Sequence, residues 1–171
     1  MTVFAPTDAL ESGALRERSE IDDRYKWDLG SIFPDWERWS EAYTELDRQI
    51  DQFAALKGSL ARGAAHLLAA LELRDLIGRL SYKVWYFASL CYDQDQRDNS
   101  INARRQQVQI LFAKAAQASS WFDPELLEIP LATVQEWLAE SSQLAVYRFS
   151  IEDFLSLGEG LHSVIVLPFG C

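Results

Sequence analysis

Apolar residues recur at helical spacing along most of this chain, and the first such run is the cleanest. They fall at Trp36, Trp39, Tyr43, Leu46, Ile50 and Phe53. Alternating steps of three and four keep these side chains on one face of an α-helix, with Glu41, Glu45, Arg48 and Asp51 on the other. Asp35 suits the N-cap, because its carboxylate accepts from backbone N–H groups that have no partner within the helix. Gly58 supplies the stop. The pattern predicts a helix over about 36–56.

A longer helix is predicted over about 64–92, with the seam Leu73, Leu76, Ile77, Leu80, Val84, Phe87, Ala88 and Cys91. At ~1.5 Å per residue it would reach roughly 40 Å. The polar run Asp93-Gln94-Asp95-Gln96-Arg97-Asp98-Asn99 turns the chain into a third helix over about 100–122, striped by Ile101, Val108, Leu111, Ala115, Ala118 and Phe122. A fresh start follows, with Asp123 as N-cap, Pro124 in the first helical position and Glu125 at the positive end of the helix dipole. That short turn ends at Pro130. Thr133 and Glu136 then have capping-box spacing before Trp137-Leu138. A last helix over about 142–157 carries Leu144, Tyr147, Ile151 and Phe154. Long helices joined by short polar turns predict an all-α fold of antiparallel helical hairpins.

The two ends read differently. Residues 1–20 form a polar leader with a short helical turn from Leu10 to Arg18, and 158–171 form a tail. There Gly158-Glu159-Gly160 breaks the helix, and Val164-Ile165-Val166-Leu167-Pro168-Phe169 is apolar without helical period. Between leader and first helix stands Tyr25-Lys26-Trp27-Asp28-Leu29, followed by Ile32-Phe33-Pro34, which fits neither period. An irregular segment with large aromatics is expected to dock them. Either Trp27 and Phe33 staple the leader onto the helical layer, or they contact a partner domain. Trp36 and Trp39 share that ambiguity, whereas Trp85, Tyr86 and Trp121 adjoin helix seams and read as packing.

At 171 residues with 49% hydrophobic content, the chain is long and apolar enough for a single core-forming unit spanning 21–157. Its net charge of −10 repels phosphate backbones and anionic lipid, which argues against nucleic-acid and membrane partners. Two cysteines make no disulfide framework. Cys91 is expected to be a buried thiol, and Cys171 is the last residue. No secretory signal or stretch of ~20 apolar residues is present, so a cytoplasmic location is expected.

The search for chemistry returns candidates that fail one by one. A zinc peptidase needs converging ligands, commonly two His one helical turn apart with a Glu between them. This chain has only His66 and His162. The acidic turn starts like a calcium loop at Asp93 and Asp95, but Arg97 occupies the fifth position, Asp98 the glycine position and Arg104 the place of the bidentate Glu. Gly158 and Gly160 lack a third glycine, since Ser163 stands there, so no phosphate cradle forms. The carboxylate pairs Asp22/Asp23 and Glu152/Asp153 read as helix-surface residues. No catalytic, cofactor-binding or metal-binding residue is assigned.

Several ordered blocks together resemble the oligoendopeptidase F family of zinc-dependent oligopeptidases. They begin with Tyr25-Lys26-Trp27-Asp28-Leu29 through Phe33-Pro34, then Phe53, Lys57-Gly58 and Leu71-Glu72-Leu73-Arg74-Asp75. Ala88-Ser89-Leu90 with Tyr92-Asp93 follows, then Phe122-Asp123-Pro124-Glu125 with Ile129-Pro130, and finally Glu136-Trp137-Leu138 with Tyr147-Arg148 and Glu152-Asp153. The resemblance covers about 22–157. It implies an amino-terminal helical lobe that helps to enclose a peptide channel, with the zinc ligands and general base lying well downstream. The chain would then supply channel wall and gating structure, hold no zinc itself, and be inactive alone.

After Leu157 the chain departs from the family pattern. A truncated or frame-shifted product or a split gene is the expectation, with a genuine short protein bearing an evolved tail as the alternative. The helical layer could pair with a separately encoded catalytic chain, or serve as an unrelated helical adaptor. An apolar face without cover would favour self-association.

Overall fold

The computed structural model describes residues 20–160, with side chains through Ser156. Six α-helices follow one another: α1 (Trp36–Ala54), α2 (Ala64–Gln94), α3 (Asn99–Ser119), α4 (Phe122–Leu127), α5 (Leu131–Glu140) and α6 (Arg148–Gly160). Short 3-10 turns lie at Asp23–Tyr25, Leu29–Ser31, Leu60–Arg62 and Leu144–Tyr147. Among the described residues there is no strand, and the fold is all-α as the spacing predicts. The expected helical turn at Leu10–Arg18 and the apolar run 164–169 lie outside the described residues.

Helices α1, α2 and α3 pack against one another pairwise. Phe33 and Trp39 meet Phe87 and Val84 late in α2, whereas Phe53 shares a cluster with Leu67 and Leu71 early in it. The two helices therefore run in opposite directions. One core, around Trp39, Leu46, Ile50, Val84, Phe87 and Val108, fills the space between these three helices. A second core gathers Phe53, Leu60, Leu67, Leu71, Phe122, Leu138 and Ile151 from the end of α1, the start of α2 and α4 to α6. Ile77 of α2 packs against both. On the outside, Lys114 of α3 pairs with Asp47 and Asp51 of α1, both at 2.6 Å. All three side chains are substantially exposed, so that bridge adds at most about 1 kcal/mol.

Asp35 caps α1 as expected, accepting from the Arg38 N–H at 2.8 Å. The helix itself ends at Ala54, and turns continue to Gly58, where a φ of +79° favours glycine. Helix α2 starts at Ala64 as expected but continues to Gln94.

The expected seam of α2 needs correction. Its buried residues are Leu67, Ala70, Leu71, Ser81, Val84, Phe87 and Ala88, whereas Leu76 is 46% exposed and Cys91 only half-buried. The first half of α2 faces α5 and the 3-10 turns, and the second half faces α1 and α3. The buried stripe rotates between them, so no single stripe describes the whole helix.

Four other boundaries move. Helix α3 stops at Ser119, and Phe122 opens α4 rather than closing α3. Asp123 is thus the second residue of α4, not its cap, and Pro124 the third; a proline anywhere in the first turn lacks only an N–H that had no helical partner. Pro130 caps α5, which puts Thr133 inside the helix and removes the capping box. The expected helix over 142–157 is divided: Leu144–Tyr147 is a 3-10 turn, with the Ser141 hydroxyl accepting from the Leu144 N–H at 3.2 Å, and α6 then runs through Gly158 to Gly160.

Candidate functional site

The residues picked out for chemistry are mostly occupied with local structure. His66 is exposed near the start of α2. Among the described residues, no group of three or more His, Cys, Asp or Glu side chains converges as a metal site would require. His162 and Cys171 lie outside the described residues. The described residues therefore do not fit a zinc centre of the kind the resemblance implies. No helix among them is long and apolar enough to cross a membrane.

The acidic turn is a helix start, as the failed calcium pattern suggests. Asp98 accepts from the Ser100 N–H at 2.8 Å and the Ile101 N–H at 3.3 Å. Bonding to Ser100, first through its side chain and then its backbone, holds the Asp98 carboxyl below the usual carboxylate range. Asp95 pairs with Arg97 at 2.9 Å. Asp22 caps the turn Asp23–Tyr25, Asp23 pairs with Lys26 at 2.7 Å, and Glu152 pairs with Arg148 at 3.1 Å.

The aromatic segment before α1 divides into an anchored part and an exposed part. Leu29, Ile32 and Phe33 pack on the three-helix core. Phe33 meets Phe87 edge-on at 5.5 Å, and Trp36 lies against Phe87 at 4.9 Å and Trp39 at 5.3 Å. The buried Trp39 indole N–H donates to the Val84 carbonyl at 2.8 Å. Trp27 is 56% exposed and Tyr25 71% exposed, so the staple is made by Phe33 and not by Trp27. The guanidinium of Arg104 sits 4.3 Å over Trp36, and that of Arg105 lies 4.2 Å from Tyr92 and 5.7 Å from Trp85.

A shallow open depression is lined by Phe33, Pro34, Arg38, Glu41, Ala42, Glu45 and Leu80. Its charged groups answer one another or a neighbour. Arg38 donates to Glu41 at 2.7 Å, and bonding to Arg48 and then Gln49 brings the Glu45 carboxyl down to about 2. No polar group is left converging on a ligand.

Glu125 is a positioning residue whose role the linear pattern hides. Its two oxygens accept from the N–H groups of Gly58 and Leu60, each at 2.7 Å, tying α4 to the loop after α1. Beside it, Arg74 stacks at 4.6 Å over Phe122. Burial pushes the Asp123 carboxyl above its ordinary value, with the Arg74 charge pulling the other way.

Several large apolar side chains remain in solvent. Tyr82 and Tyr86 stack at 5.9 Å on the outer face of α2, and Val146 and Phe149 project at the junction into α6. The Tyr147 hydroxyl between the latter two donates to Asp75 of α2 at 2.8 Å. These residues fit a contact surface better than a reaction centre.

No family model matches the chain. Among curated proteins it is 31% identical over 135 residues to Group B oligopeptidase PepB of Streptococcus agalactiae, covering 79% of this chain and 22% of the relative's length. It is 28% identical over 143 residues to Oligopeptidase PepF of Bacillus subtilis, covering 84% of this chain and 21% of that protein. The fold matches the crystal structure of oligoendopeptidase-F from Enterococcus faecium with a TM-score of 0.63 at 30% identity, over 70% of this chain and 23% of that one. A putative peptidase from Chlamydophila abortus shares the fold with a TM-score of 0.71, over 88% of this chain and 25% of that one. The chain thus spans between a fifth and a quarter of the length of these relatives. Oligopeptidase relatives along most of the chain and a fold shared with a solved oligoendopeptidase-F at 30% identity converge on one statement: the chain belongs to the oligoendopeptidase F family.

Proposed function

We propose that this chain is the amino-terminal helical segment of a cytoplasmic oligopeptidase. In this reading it supplies wall and gating structure for a channel that admits short peptides. The zinc centre and general base belong to the larger part that the relatives possess and this chain does not span. The observation that carries the reading is the coverage: about four fifths of the chain aligns with oligopeptidases, yet that aligned segment makes up only about a fifth of their length. The absence of a converging ligand set among the described residues is compatible with chemistry seated elsewhere.

The test is hydrolysis of a quenched oligopeptide with zinc present, with and without chelator. The chain alone is expected to give no chelator-sensitive cleavage. Added to the remaining part of an oligoendopeptidase F, it is expected to raise that part's cleavage rate. Chelator-sensitive turnover by a homogeneous preparation of this chain alone would overturn the reading.

A further inference from the structure

We draw no further inference here: the strongest candidate, the surface patch on α2 where Tyr82 and Tyr86 stack at 5.9 Å and stand 60% and 49% exposed, is an unpartnered apolar face, and nothing in the structure shows what covers it.

Discussion

Glu125 and Asp123 are both carboxylates of α4, yet their surroundings oppose each other. Glu125 accepts two short backbone bonds from the loop at Gly58 and Leu60, so Glu125→Ala leaves the exposed Gly58 N–H to water and strands the buried one at Leu60, and is expected to cost about 2 kcal/mol. Glu125→Gln keeps one acceptor and is expected to recover part of that loss, read as the midpoint of urea unfolding. Asp123 is half-buried and its carboxyl is raised by burial, so the folded state prefers it protonated. Its contribution is favourable below the ordinary carboxylate value and is lost as pH rises through the raised one. Asp123→Asn is therefore expected to raise the urea midpoint at pH 7, with the gain shrinking towards pH 3; a gain that persists undiminished in acid would contradict the assignment. The cap Asp35 is legible in sequence because its partner lies three residues away. The partners of Glu125 lie 65 and 67 residues away, which no local pattern encodes.

At the scale of the element, helix existence follows from spacing, and helix ends follow from neighbours. Gly78 stands inside α2 with open space around the position a Cβ would occupy. Gly78→Ala is expected to stabilise by about 1 kcal/mol, since alanine loses less backbone entropy and meets no clash. Gly58→Ala is expected to cost about 1 kcal/mol, because φ is +79° there. The pair is checked by thermal melts, in which opposite signs are expected. The α2 seam shows where spacing runs out: Leu76 keeps perfect helical register with its neighbours and is nonetheless exposed, because the packing partner changes along the helix.

At the scale of the whole molecule, α1 and α2 each reach both cores, and Ile77 of α2 touches the two together. A helix that packs into both cores opens only when the molecule opens globally. Hydrogen exchange is therefore expected to be slowest in the central turns of α2, around Ile77 to Ala88, and faster in α5 and α6, which serve one core. The slowest exchange in α6 would contradict this arrangement.

Periodicity by itself determined that the chain is all-α and roughly where the long helices run, and Asp35 was legible as the cap of the first, because those properties depend on residues within one or two turns. The ordered blocks from Tyr25 to Asp153 also carried the family. Only the tertiary structure decided that Phe33 rather than Trp27 is the anchor, that Cys91 is half-buried, that α3 stops before Trp121, and that Glu125 ties a distant loop. Each of these depends on which surfaces meet, and a sequence records that a side chain is apolar without recording what will cover it.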